Sequence, residues 1–448
     1  PSSEGSHSAT LTISSPEAKD ITVSLNGTAT PKITFVDNIT ADKLNEVWIS
    51  STTAGLKSWH TDVTTHHRSI AYNDGKLYVL ICKAWATPRI AVINAYTGEH
   101  IKDLDVSSVT GATIQIGDIA VFDGKLIADN VCTAAQNFRI YKWEDDNSAP
   151  TVILAKDSNG VNGKVGGGAL SVSGNWDNGR LLLTTDGANS IVYFNVNNGA
   201  VDSTPHEITL TDKDGNALTN GTEGRGSAKV LVNSDGSMWV TSRHFAPTRF
   251  TSDGKFIETI STGALGGNTL GTDFRYFPFG SKTYAIATTF NHENGSYNGQ
   301  MSLFNVTDGI MSASEPIAVV PESGLGATNN DQRITTLCQS TRDDGTTLDL
   351  WVSSGLQGVA HYSYVGRVGT GVENVALEAD KMEITIAGGL IKVSGDVARI
   401  EVYTMAGMQV VSIPGGELNS TDIPVGIYVI RAIDTKGQSV ARKVAIAR

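Results

Sequence analysis

The chain reads as all-β: a six-bladed β-propeller, followed by a small β-sandwich and preceded by a β-hairpin. Three observations predict this. A unit of apolar strand, tight Gly turn and second apolar strand recurs six times, at intervals of 44 to 65 residues between turn glycines. Glycine is abundant, at 47 of 448 residues, and only 18% of residues are charged, which suits turn-rich strands better than solvated helices. The last 77 residues lose the recurring unit but keep strand alternation.

The six units centre on "NDGKLYVLIC", "VFDGKLIADN", "WDNGRLLLTTDG", "VNSDGSMWVTS", "PFGSKTYAIATT" and "DDGTTLDLWVSS", with turn glycines Gly75, Gly124, Gly179, Gly236, Gly280 and Gly345. Asp-Gly and Asn-Gly tolerate positive φ and so close tight hairpins. Each unit continues through a longer polar loop to a third strand ("RIAVINA", "FRIYKWE", "IVYFNVN", "MSLFNVT"). A second short turn then leads to a fourth ("EHIKDLDV", "KFIETIS"). Four antiparallel strands at this period are propeller blades. The sixth unit stops after its third strand, "VAHYSYV", while an extra strand, "LNEVWIS" at 44–50, precedes the first. Pairing the two closes the ring and removes exposed edges. The expected organisation is residues 1–36 as a hairpin, 37–370 as the propeller and 371–448 as the sandwich.

Charge and motifs narrow the function classes. The balance of 34 Lys+Arg against 46 Asp+Glu gives −12, which argues against a nucleic-acid binder. No apolar run reaches the length of a membrane-spanning helix. Cys82, Cys132 and Cys338 are odd in number and lie in apolar runs, so they read as buried free thiols. No signal peptide is visible, and the chain reads as a mature or trimmed form.

The C-terminal segment carries "IEVYTMAGMQVV", "LNSTDIPVGIYVIRA" and the final "ARKVAIAR". In these it resembles the secretion-tail module of Bacteroidetes surface proteins, a match over about 75 residues. That resemblance implies an exported protein at the cell surface or outside it, with the type IX export machinery as a partner. The opening strands "SATLTIS" and "DITVSLNGTA" look like the closing hairpin of a bacterial immunoglobulin-like module. "DGKLYV" and "VINAYTGE" are similar to quinoprotein and lactonase propeller repeats, but Asp103-Leu104 stand where the quinoprotein repeat has a Trp. No quinone, and no other cofactor, is expected.

In a propeller, the blade-to-blade loops and the loops between second and third strands emerge on one face, around the central channel. Here these loops are long and polar, among them "WHTDVTTHHRS", "CKAWATPR", "SRHFAPTR", "NHENGSYNGQ" and "GLGATNNDQR". Binding residues concentrate on such loops. The ligand-binding candidates are Arg68, Trp85, Arg225, Arg243, His244, Arg275, Asn291, His292, Asn330 and Arg333. Arginines at blade starts suit carboxylate or sulfate. The plainer reading is inter-blade ion pairs, since Glu223, Asp273 and Asp331 each precede an Arg by two residues.

No metal is expected. The histidines of "HTDVTTHH" share no ligand spacing, and "TDKDGNALTNG" lacks the distal Glu of a calcium loop. No nucleophile elbow, phosphate loop or serine triad is present, so no catalytic residue is assigned. Trp59, Phe245, Tyr276 and Tyr297 could stack on sugar rings or pack in the core. The expectation is a non-catalytic binding protein presenting one loop-rich face to a glycan or protein. The alternative is a propeller enzyme acting on polysaccharide (a lyase or glycoside hydrolase), recognisable by a paired carboxylate or a Tyr/His base of shifted pKa near the channel mouth.

Overall fold

A computed structural model describes residues 5–15, 18–29, 43–60, 67–82, 86–132, 136–156, 168–184, 189–218, 228–242, 245–260, 269–280, 282–293, 296–310, 315–326, 329, 334–342, 345–365, 383–387, 390–395, 397–404, 409–435 and 439–446. The chain forms two compact units, 1–366 and 367–448.

Unit one opens with the hairpin β1 (Gly5–Ser15) and β2 (Ala18–Ala29), paired from Gly5↔Ala29 to Ser15↔Ala18. After β3 (Leu44–Ser51) come six blades. Blade one is β4 (His67–Asn73), β5 (Lys76–Ile81), β6 (Arg89–Asn94) and β7 (His100–Asp103). Blade two is β8 (Ile114–Phe122), β9 (Lys125–Val131), β10 (Phe138–Lys142) and β11 (Thr151–Lys156). Blade three is β12 (Leu170–Gly174), β13 (Asn178–Thr184) and β14 (Ser190–Asn197), with β15 (Ala200–Val201) and β16 (His206–Thr209) both on the outer edge of β14. Blade four is β17 (Lys229–Val232), β18 (Met238–Ser242), β19 (Phe245–Phe250) and β20 (Phe256–Thr259). Blade five is β21 (Thr269–Phe279), β22 (Lys282–Glu293), β23 (Ser296–Asn305) and β24 (Ala318–Val320). Blade six is β25 (Thr335–Thr341), β26 (Thr347–Ser354) and β27 (Gly358–Val365), completed by β3.

The closing strand pairs antiparallel to β27, from Gly358↔Ser51 to Tyr364↔Leu44. The first strands of the blades touch in cyclic order, β4–β8–β12–β17–β21–β25 and back to β4, so they line the centre. Each gap between neighbouring blades holds its own buried apolar cluster. Tyr78 and Trp143 mark the gap between blades one and two, Phe138 and Phe194 that between two and three, and Leu182 and Met238 that between three and four. Trp239 and Phe274, Ile286 and Leu350, and Leu77 and Trp351 mark the remaining three. An open ring would leave the last gap unfilled.

The turns follow the Asp-Gly rule. Asp74 and Gly75 have φ of 44° and 74°, and Asp123 and Gly124 have 46° and 77°, as two-residue hairpin turns require. Two expectations need correction. Gly179 is a strand residue opposite Gly174, and a Cβ on it would meet Asn175 O at 2.5 Å and Phe122 Cζ at 2.6 Å, so it is a close-approach glycine. "NHENGSYNGQ" is no long loop. β22 and β23 run on through it, pairing Asn291↔Asn298 and Glu293↔Ser296, because Asn294-Gly295 is itself a hairpin signal.

Unit two is a sandwich of two sheets. One is β28 (Glu383–Ala387), β29 (Leu390–Ser394) and β32 (Glu417–Asn419). The other is β31 (Gln409–Pro414), β30 (Val397–Thr404), β33 (Gly426–Asp434) and β34 (Ser439–Ile446). Ile391 and Leu418 of the first sheet meet Val402, Ile430 and Val444 of the second in one core.

Candidate functional site

The centre of unit one holds a cavity of about 330 Å³, walled by all six first strands; Ile70, Ile119, Leu170, Lys229, Arg275 and Gln339 represent one blade each. Antiparallel order puts the starts of these strands on the face from which the blade-to-blade loops arise.

A belt of polar side chains ties the strand starts together. Asp118 accepts from its neighbour Ile119 N (3.0 Å) and from Leu170 N of the next blade (2.7 Å). Asp273 repeats this with Phe274 N (2.8 Å) and Leu337 N (2.8 Å). Ser171 accepts from Val230 N at 3.0 Å and Thr336 from Ile70 N at 3.0 Å, while Ser69 donates to Ile119 O at 3.3 Å. A buried backbone N–H that lacks an in-sheet partner is thus met by the adjoining blade.

Three cations stand within this belt. Lys229 of blade four reaches past blade three to the Asp118 carboxylate of blade two, which puts its ammonium in the channel. Arg275 donates Nη1 to Asp273 and to Phe274 O (2.9 Å), and Nη2 to Leu337 O (2.7 Å). Arg68 donates Nε to Gly117 O at 3.1 Å, and its terminal nitrogens meet no partner among the described residues. Burial lowers the Arg68 pKa, opposed by the charges of Cys82, Asp118 and Asp129.

Asp129 faces Asp118 across the β8–β9 ladder. Burial, and then the Asp118 charge, push its carboxyl well above the usual range, against the opposing pull of Gly168 N–H, Lys229 and Arg68. It therefore favours the neutral acid. Its Oδ2 accepts from Gly168 N at 2.8 Å, and Oδ1 has no partner among the described residues. Asp118 and Asp129 thus form a close carboxyl pair whose side chains are both buried beside the channel.

Of the sequence candidates, Arg275 lines the channel, while Arg68 bonds Gly117 O of blade two and is not among the residues that line the cavity. Arg275 is also the inter-blade tie that the plainer reading anticipated. Asn291 is half-buried near the end of β22, paired with Asn298, and His292 is placed by its backbone opposite Tyr297. Trp85, Arg225, Arg243, His244, Asn330 and Arg333 lie outside the described residues.

The aromatic candidates pack against other rings. Trp59 is buried and stacks on His60, Phe245 stacks on Phe250, Tyr276 tilts on Trp239 and Tyr297 stands edge-on to Phe290. Asp212 accepts Asp214 N and Asn216 N, both at 2.9 Å, so "TDKDG" is a turn. Among the described residues no three His, Cys, Asp or Glu side chains cluster as metal ligands. Burial raises the Cys338 thiol to about 12, and Sγ donates to Ile70 O, so it is an unreactive wall residue.

The site thus belongs to a closed six-bladed propeller with a charged central channel. No family model matches the chain, and no curated protein matches it in sequence. In fold it is similar to a DUF4623 family protein from Bacteroides eggerthii, at 14% identity over 81% of this chain and 82% of that one, with a TM-score of 0.57. It is also similar to a GH43_1 enzyme from Xanthomonas citri (13% identity, 58% of this chain and 92% of that one, TM-score 0.38). A xylan beta-1,4-xylosidase from Bacillus halodurans matches at 12% identity over 85% of this chain and 90% of that one, with a TM-score of 0.36. At such identities the likeness concerns fold. Among the described residues no helix is long and apolar enough to cross a membrane.

Proposed function

We propose that the chain is a carbohydrate-directed propeller protein whose ligand enters the central channel from the loop-rich face. One observation carries this reading: a cavity large enough for a sugar unit sits where all six blades converge, and combines apolar walls with Lys229, Arg275 and Gln339.

Retention without cleavage is the first reading, because Asp118 and Asp273 are committed to backbone N–H groups and cations. Cleavage is the second, favoured by the Asp118–Asp129 pair, since hydrolysis of a glycosidic bond uses one acid and one carboxylate. Two of the proteins similar in fold are named as a GH43_1 enzyme and a xylosidase, nearer to a propeller enzyme than to a passive binder; the reading here rests on the residues. Export to the cell surface or beyond, with unit two as the export module, is part of the same proposal and is supported by the tail resemblance.

The test is a glycan array with the purified chain, followed by reducing-end assays on every glycan retained. Capture without new reducing ends supports retention; their appearance, and loss in Asp129→Asn, establishes cleavage. Gln339→Trp, which fills the cavity, should abolish capture while the melting temperature holds. Capture unaffected by Gln339→Trp would remove the channel as the site.

A further inference from the structure

Resting on the channel-site reading, we infer that this site takes the terminal unit of a glycan chain, end-on, and not a unit within the chain. The inference follows from how the ring is closed. Antiparallel pairing of β3 with β27 completes the last blade. The first strands touch in an unbroken cycle round the cavity, and all six contribute to its wall. Behind them every gap between blades is filled by its own buried apolar cluster. In the last gap Trp351 of blade six packs among Leu77 and Ile93 of blade one. Interiors packed in this way hold few voids wider than a water molecule. Among the described residues, then, no passage leads between blades to the cavity, and the ways in are the two ends of the channel.

Topology limits the ligand accordingly. A glycan lying in an open groove is held by internal units, and its ends run on in both directions. A channel walled on every side cannot be reached in that manner; a chain enters along the axis, end first. Side chains narrow the bore at the level of the cavity. Lys229 runs from blade four past Leu170 O of blade three, at 3.4 Å, to the Asp118 carboxylate of blade two. Arg275 reaches from blade five to Leu337 O of blade six at 2.7 Å. Both line the cavity. Its volume of about 330 Å³ lies at the lower end of the range for small-molecule sites. It holds one sugar unit or little more, and leaves no room for a chain doubled back on itself. Under the cleavage reading the same geometry makes release stepwise, one terminal unit at a time.

The experiment titrates the full chain by calorimetry with linear oligosaccharides of one to six units prepared from xylan, arabinan, mannan and amylose. Each series is compared with its parent polymer. In a retained series, chains of two and of six units should agree in dissociation constant within about threefold, less than one hydrogen bond is worth. Protein bound at saturation per gram of polymer should rise in step with the number of ends as the polymer is cut. Borohydride reduction, which opens the ring at the reducing end, abolishes binding if that end enters and leaves it unchanged if the other does; either result supports end-on entry. These measurements use the wild-type chain, so none depends on a variant that folds. Affinity that climbs with every added unit, or a capacity indifferent to cutting, overturns terminal selection; if Gln339→Trp still blocks that binding, the channel site stands. Binding that survives in folded Gln339→Trp overturns the channel reading and the terminal selection together, as does retention of none of the four series.

Discussion

Asp349 shows how far one buried carboxylate can organise the closing seam. Its side chain is fully buried, and Arg342 grips it with two bonds, Nε to Oδ2 at 2.6 Å and Nη2 to Oδ1 at 2.8 Å. His361 Nε2 lies 2.8 Å from Oδ1, and the Ser363 hydroxyl donates to the same oxygen. The His361 ring stacks on Trp351 at 4.7 Å, and Tyr72 of blade one stacks on Trp351 at 4.6 Å. Burial alone would raise the Asp349 pKa, but the bonds from Arg342 and His361 hold it at about 2. Burial lowers that of His361, against the pull of Asp349. Asp349 is depressed relative to the unfolded chain, so its contribution is full above the ordinary carboxylate range and is lost as pH falls toward 2. His361 acts in the same direction below about 6.5, where the unfolded chain takes up the proton first. Asp349→Asn should therefore cost about 3–5 kcal/mol at neutral pH, as breaking a buried pair does. The gap in urea midpoint from the wild type should narrow between pH 4 and 2. A variant with the wild-type midpoint at pH 7 would show that the network stabilises nothing. None of this was legible in the sequence, because Arg342, Asp349 and His361 share no motif and meet only through strand register. The channel belt was hidden for a related reason: Asp118, Ser171, Asp273 and Thr336 each accept a backbone N–H from the next blade, one job done with three chemistries. Lys229 finds Asp118 across 111 residues of chain.

At the scale of the element, β3 was the most readable piece, since an unpaired alternating strand before blade one matched a missing strand in blade six. Its burial explains the signal. Leu44 and Trp48 are buried, and the Trp48 indole donates to Ala95 O at 2.9 Å, the same carbonyl that takes Trp351 Nε1 at 2.8 Å. One backbone oxygen of blade one thus joins two strands of blade six, β26 and β3. Gly179 was less readable, because a glycine demanded by close approach looks the same as one demanded by positive φ. The strands of "NHENGSYNGQ" were missed because polar composition outweighed the Asn-Gly signal. Removing residues 1–42 leaves the ring whole, whereas removing 1–51 takes β3 and opens two edges. The longer truncation should unfold at clearly lower denaturant and bind hydrophobic dye; the shorter should behave like the full chain in the ring transition. Equal losses from the two would show that β3 does not carry closure.

At the scale of the whole molecule, the cohesion is modular in an unequal way. Unit one distributes its apolar residues over six wedges between blades, so each blade depends on two neighbours, and the loss of one wedge weakens the ring throughout. Unit two has one core contributed by both of its sheets, complete within residues 384–446. Cooperativity follows shared buried surface, so the ring should melt as one body and the sandwich as another. The sandwich is small, and a chain of its size buries a smaller fraction of its surface, which makes it the less stable of the two. Calorimetry of the full chain should show two transitions. Residues 1–366 expressed alone should reproduce the upper one, and residues 367–448 the lower. Because the channel lies wholly in unit one, the shorter piece should also retain every glycan that the full chain captures. A single transition for the full chain, or aggregation of 1–366, would mean that the ring relies on the sandwich, and that the apolar wedges alone do not hold it.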